Sequence, residues 1–182
     1  MNTEKENNPI SGYVMLTVVA FLLGASIFGM VAFKNPLPGL VLVVGFILMP
    51  GFFFVNPNGS RVLILFGSYK GTVKRNGFFW VNPFFVKKKI SLRARNFDSE
   101  RIKVNDKVGN PILIGVILVW KVENTYKAAF EVDDYENFVR IQSDAAVRKL
   151  AGRYPYDNFE DGEAEITLRS GLDEVNHALE ET

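Results

Sequence analysis

Side chains able to do covalent or acid–base chemistry are scarce in this sequence. It has one histidine, His177, and no cysteine. A general base, a thiolate nucleophile and a nitrogen–sulfur metal site therefore lack their usual carriers. Ser143 offers a hydroxyl, but its neighbours Gln142 and Asp144 read as ordinary helix-surface residues that would not activate it. There is no glycine-rich phosphate loop. Asp157, Glu160, Asp161, Glu163 and Glu165 crowd one stretch, yet they lack the alternating ligand spacing of a calcium loop. They read as a solvated acidic loop that could pair with basic residues of an adjacent subunit. Asn58-Gly59-Ser60 fits a glycosylation sequon, though a turn at the membrane edge explains it better. No catalytic residue, cofactor or metal is expected, and the chain is read as a non-enzyme.

Positive charge is what the sequence concentrates. Lysine and arginine total 21 against 20 acids, for a net charge of +1. Yet Arg61, Lys70, Lys74, Arg75, Lys87, Lys88, Lys89, Arg93 and Arg95 follow one another with no acid between them. The balance reverses from Asp157 onward, where Arg169 is the single Lys/Arg. Arg61, Lys70, Lys74, Arg75, Lys87, Lys88 and Lys89 are the expected contacts to anionic lipid headgroups, worth about 1 kcal/mol each near such a surface. A solvated strand edge guarded by lysines is the plainer reading. Phe78, Phe79, Trp80, Phe84 and Phe85 suit either interfacial anchoring or a core. Basic and aromatic residues together also suit nucleic acid, but apolar helices next to them make lipid the simpler partner, and no nucleic-acid binding is expected.

Those apolar helices must position the basic stretch. Tyr13–Phe33 runs without a charge for long enough to cross the hydrocarbon core, which takes about 20 helical residues. It is too apolar all round for the core of so small a domain. A signal peptide fits badly: two glutamates flank the single lysine of the leading segment, and no small-x-small site follows. A second uncharged run, Leu37–Val55, follows the turn chemistry of Pro36-Leu37-Pro38-Gly39. The two read as a transmembrane hairpin with both termini on one side. A re-entrant or interfacial second arm is the alternative, because Pro50-Gly51 falls near its end. Arg61, Lys70, Lys74 and Arg75 outnumber Lys34 near the spans and predict a cytoplasmic soluble domain.

Beyond Asn56-Pro57-Asn58-Gly59 the pattern turns to strands: Arg61–Phe66, Tyr69–Val73, Gly77–Val81 and an alternating Lys89–Phe97. Pro111–Val122 is apolar on nearly both faces and predicts a central, doubly covered strand. Helices follow at Thr125–Phe130 and Tyr135–Ala151, the latter with Phe138, Ile141 and Ala145, and Val139, Ala146 and Leu150, as its inner positions. A last amphipathic helix is expected from Ser170, carrying Leu172, Val175, Ala178 and Leu179. The fold class is α+β: a transmembrane helical hairpin, then a mainly antiparallel sheet with packed helices.

Several of these segments, in order, resemble one family. Pro50-Gly-Phe-Phe-Phe-Val-Asn-Pro-Asn58, Val62-Leu-Ile-Leu-Phe-Gly67, Gly71-Thr72 and Trp80-Val-Asn-Pro-Phe84 are similar to the SPFH or Band 7 family of stomatin, prohibitin and flotillin. So are Ser91-Leu-Arg-Ala-Arg-Asn-Phe97, Lys103-Val-Asn-Asp106, Gly109-Asn-Pro-Ile112, Val119-Trp120 and Tyr154-Pro-Tyr-Asp157. It looks closest to bacterial members with paired hydrophobic segments. The resemblance implies an SPFH domain against the membrane, homo-oligomers, and a scaffold for membrane microdomains or complexes. It also implies partners among membrane proteases, channels and transporters; the alternative role is a regulatory subunit of one such protein. The expected layout is a polar tail at 1–12, spans at 13–33 and 37–55, and an SPFH domain at 56–160. Residues 161–182 would begin a C-terminal helical region that is cut short in this chain.

Overall fold

The computed structural model describes residues 4–33, 36–157 and 167–168. The chain divides into two compact units, Met1–Arg93 with Val122–Asp133, and Ala94–Lys121 with Asp134–Thr182.

The first unit opens with a short strand, β1 (Ile10–Ser11), that runs directly into helix α1 (Gly12–Phe33). At about 1.5 Å per residue its 22 residues reach about 33 Å, the thickness of the hydrocarbon core. The chain then reverses into α2 (Gly39–Leu48), which lies back along α1. Small residues let the two approach closely: a Cβ on Gly45 would stand 2.5 Å from Leu23 Cδ2, and one on Gly29 would stand 3.2 Å from Pro38 Cγ. The Ser26 hydroxyl donates to the Pro38 carbonyl, which satisfies the one polar side chain that α1 buries.

The second arm departs from the expected 37–55 helix. α2 has 10 residues, followed by a 3-10 turn over Met49–Gly51, and Phe52–Val55 is already a strand, β2. Helix and turn together reach about 20 Å, short of the roughly 30 Å needed to cross alone. Pro50 accounts for the stop, since it has no N–H to continue the ladder, and the following residues pair with a sheet instead.

Four further strands complete this unit: β3 (Gly59–Leu65), β4 (Ser68–Val73), β5 (Gly77–Trp80) and β6 (Val86–Ser91). They form two antiparallel sheets, ordered β4-β3-β6 and β1-β5-β2. Phe53, Val55, Leu63, Val73, Phe79 and Val81 meet in one buried cluster drawn from both sheets. On the reverse face of β3 and β4, Val62 and Thr72 are fully buried. There the short helix α3 (Thr125–Phe130) packs, and the Thr72 and Thr125 hydroxyls lie 2.9 Å apart. The polar N-terminal tail lies along β4: Thr72 N–H donates to the Lys5 carbonyl at 2.8 Å and Asn7 N–H to the Thr72 carbonyl at 3.0 Å.

The second unit holds β7 (Arg95–Asp98), β8 (Ile102–Asn105), β9 (Pro111–Ile114), β10 (Ile117–Trp120) and the 17-residue helix α4 (Tyr135–Ala151). Asp134 caps α4 by accepting from the N–H groups of Glu136 and Asn137. Three expectations are corrected. Lys89–Phe97 is not one strand but β6 and β7, which join different sheets. The break falls between Leu92, whose N–H makes a last bond to the Asn58 carbonyl beside β3, and Arg95, where β7 begins. Pro111–Val122 is not a doubly covered strand either. Ser99 interrupts it by exchanging two hydrogen bonds with Val116, which leaves the two-stranded ladders β8-β9 and β10-β7. One face of these ladders stays open, with Leu113, Ile117 and Val119 exposed. Finally, α4 turns Ser143, Val147, Leu150 and Ala151 inward, whereas Phe138 and Ile141 are exposed. The helix expected from Ser170, His177, and the acids Glu160, Asp161, Glu163 and Glu165 lie outside the described residues.

Candidate membrane interface

The apolar hairpin and the sheets meet at a closely fitted joint in the first unit. β1 and β2 lie on opposite edges of β5, so Ile10 and Phe52 both oppose Trp80, and Ser11 and Phe53 both oppose Phe79. The hairpin thus leaves and re-enters the same sheet. Whatever its depth, the N-terminal tail and the sheet lie on one side of any bilayer it enters.

A helix end leaves carbonyls without partners. Here the domain supplies donors to them: Trp80 Nε1 to Leu48 O at 2.9 Å, Val81 N–H to Gly51 O at 3.1 Å, and the Lys87 ammonium to Pro50 O. A cation at this end also suits the helix dipole. Burial, helped by repulsion from Arg61, pulls the Lys87 ammonium below the usual lysine range. At the other end of the joint the Phe78 ring is stacked on Phe52 with centroids 5.5 Å apart and meets Tyr13 edge-on at 5.4 Å. A Cβ on Gly12 would collide with that ring, so the start of α1 is fitted to Phe78.

The seven basic residues expected at lipid headgroups do not all face one way. Cross-strand pairing puts Arg61, Lys87 and Lys89 on one face of the sheet and Lys88 on the other. Lys88 donates to the Ala129 carbonyl at 3.0 Å, near the end of α3. Lys74 donates to Glu4 at 2.8 Å and to the Glu123 carbonyl at 3.3 Å. Arg61 lies over the Phe54 ring and Arg75 over that of Phe79, at 6.0 and 5.4 Å. Lys70 and Lys89 are exposed. Of the expected aromatic anchors, Phe79 is core, Phe78 and Trp80 belong to the joint, and Phe85 packs against the buried cluster. Phe84 alone of the five is exposed, at 62%.

Two residues of consequence were not anticipated. Phe66 is 83% exposed and stacks on Phe84 with centroids 6.3 Å apart; an aromatic beside Gly67, between two strands, was the available sign. Glu4 accepts from Lys74 and from both the N–H and the hydroxyl of Thr125. Burial raises its pKa, but these donors outweigh that and hold it below the usual glutamate range. One of two glutamates in a polar tail gives no such sign in sequence. In the second unit Asp106 accepts from the N–H groups of Val108 (3.0 Å), Asn110 (2.7 Å) and Tyr156 (3.1 Å). Desolvation opposes its ionisation, yet these donors keep it below the ordinary aspartate range. Among the described residues no three histidine or carboxylate side chains gather where a metal could sit.

The model of the SPFH domain / Band 7 family matches residues 53–181. The chain belongs to this family. No curated protein matches it in sequence. The matched span begins inside β2, so the SPFH domain takes in the strand that closes the hairpin. The mixed α+β architecture with antiparallel sheets, preceded by an apolar helix, agrees with the resemblance read from the sequence. SPFH proteins are generally non-enzymatic, membrane-associated scaffolds, and α1 is long and apolar enough to serve as this member's anchor.

Proposed function

We propose that this SPFH protein is a self-associating membrane scaffold, carried on the cytoplasmic face by the α1–α2 hairpin and organising lipid and protein neighbours around it. The observation that carries the reading is the shared sheet: β1 and β2 clamp β5 from both edges, so anchor and first unit form one rigid piece. A scaffold needs such a joint, because a flexible linker would let membrane and domain move independently. Lys70 and Lys89 are exposed on β4 and β6, the edge strands of the first unit's other sheet, and suit anionic headgroups, with Arg61 and Arg75 contributing from their aromatic seats. The open apolar face of Leu113, Ile117 and Val119 supplies surface for protein contacts. In this reading α1 crosses the bilayer and the shorter α2 returns as a partial second span.

Mass photometry of the full chain in lipid nanodiscs and native detergent tests self-association. Assemblies of many copies are expected. A persistent monomer that captures one membrane protease or transporter in fixed ratio would refute the scaffold and leave the regulatory-subunit reading.

A further inference from the structure

Phe66 is misplaced by every rule of folding economy. It forms with Gly67 the two-residue turn joining β3 to β4, where Leu65 pairs with Ser68. Both turn residues have positive φ, 47° and 81°. Turns of this kind favour Asn-Gly, and a bulky side chain in the left-handed region is strained. The phenyl recovers little from the core, because it is 83% exposed and its ring partner is Phe84, itself 62% exposed. Val86, two residues on, is 62% exposed as well. Phe66 and Phe84 therefore meet on the surface of the first unit at a backbone cost, with exposed Val86 two residues along the chain.

Their place in the chain says what covers them. Phe84 lies three residues after Val81, whose N–H holds Gly51 O, and three residues before Lys87, whose ammonium holds Pro50 O. Three residues of chain span at most about 10 Å, so the pair is tied close to the end of the hairpin's second arm. That end emerges where hydrocarbon gives way to headgroups, a zone several ångströms deep in which aromatic rings settle favourably.

We infer that Phe66 and Phe84, with Val86, form a lipid-inserting clip that docks the SPFH domain into the headgroup region beside its hairpin. This rests on the reading of the hairpin as a membrane anchor. The clip gives the domain a second purchase on the bilayer and restrains it from tilting on the hairpin. Lys87, bound to the Pro50 carbonyl between clip and hairpin, fixes their spacing.

The absence of cysteine makes the test clean. Phe66→Cys, Phe84→Cys, Val86→Cys and Phe28→Cys variants of the full chain are each labelled with an environment-sensitive fluorophore. They are then reconstituted in phosphatidylcholine–phosphatidylglycerol vesicles. Labels at 66, 84 and 86 should be quenched more by doxyl lipids than by aqueous iodide, as should the α1 label at 28. Adding Phe66→Asn with Phe84→Ser to the Val86→Cys protein should reverse its preference towards iodide at least twofold, while the Asn-Gly turn keeps the melting temperature unchanged or higher. Iodide-dominated quenching at 66, 84 and 86, with lipid quenching at 28, overturns the clip and leaves the anchor standing. Iodide quenching at 28 as well overturns both.

Discussion

Replacing Gly51 with alanine should loosen the hairpin from the SPFH domain, because this glycine sits where helix, strand and indole meet. An added Cβ would lie 2.7 Å from Trp80 Cε2 and closer still to Trp80 Nε1 and the Val81 carbonyl. Two of these three atoms belong to an indole already committed to the Leu48 carbonyl, and the third is backbone, so none can move aside cheaply. Overpacking of this kind costs about 1–3 kcal/mol. Losing one hydrogen bond of the joint adds about 1 kcal/mol. Alanine returns roughly 0.4–1 kcal/mol by restricting the unfolded chain. The net loss is about 2 kcal/mol, which for a chain of this size lowers Tm by about 4–8 °C. Thermal unfolding in detergent, followed by tryptophan emission, reads it directly because Trp80 is at the site. Gly24→Ala is the matched control, since nothing lies within 4 Å of its added Cβ. Equal melting of Gly51→Ala and wild type, beside an unchanged control, would refute a tightly fitted joint.

Three further outcomes follow from the contacts described. Glu4 has a lowered pKa in the folded chain, so its contribution is complete above the ordinary glutamate range and is lost as pH falls through the folded value. Protection of the Lys5 to Asn7 amides, measured against their intrinsic exchange rates, should therefore fall at acid pH, and Glu4→Gln should lower it at neutral pH and flatten the pH dependence; a variant as well protected as wild type at neutral pH would count against this role of Glu4. Asp106 has the same sign, and Asp106→Ala strands the Val108, Asn110 and Tyr156 donors. Proteolysis at 107–110 should speed several-fold in this variant, and an unchanged digestion pattern would mean that the loop is held otherwise. Leu23→Cys with Gly45→Cys should cross-link rapidly under mild oxidation in membranes, whereas Tyr13→Cys with Gly45→Cys should not; equal rates would deny the antiparallel packing of α1 and α2.

How far the sequence speaks depends on which force decides each element. α1 was legible to within a residue because an uncharged run of its length has one common solution. The family resemblance was legible because its motifs fall where the backbone is special, such as the turn at Asn58-Gly59 and the register shift beside Gly71 within β4. The end of the second arm was not, because Phe52–Val55 is equally apolar as helix or strand and only pairing with β5 decides it. Pro111–Val122 misled for a similar reason: hydrophobicity predicts burial, whereas Ser99 breaks the strand from a distance. The basic stretch was visible as composition, but the register that separates Lys88 from Lys87 and Lys89 depends on β3, more than twenty residues away in sequence.

The clamp of β1 and β2 on β5 also sets an order of events during synthesis. β1 leaves the ribosome first, yet its sheet partner, β5, arrives on the order of 70 residues later. Until then β1 has no strand to pair with, while α1 and α2 can already pack on each other. Once they have paired, the ends of a loop of roughly 40 residues stand one strand apart, and a closure cost of about 3 kcal/mol has been met before β5 fills the gap. The apolar hairpin is then a folding template as well as an anchor: a nascent chain whose hairpin has not formed should leave β5 with an open edge, exposed to quality-control proteases or to the wrong neighbour.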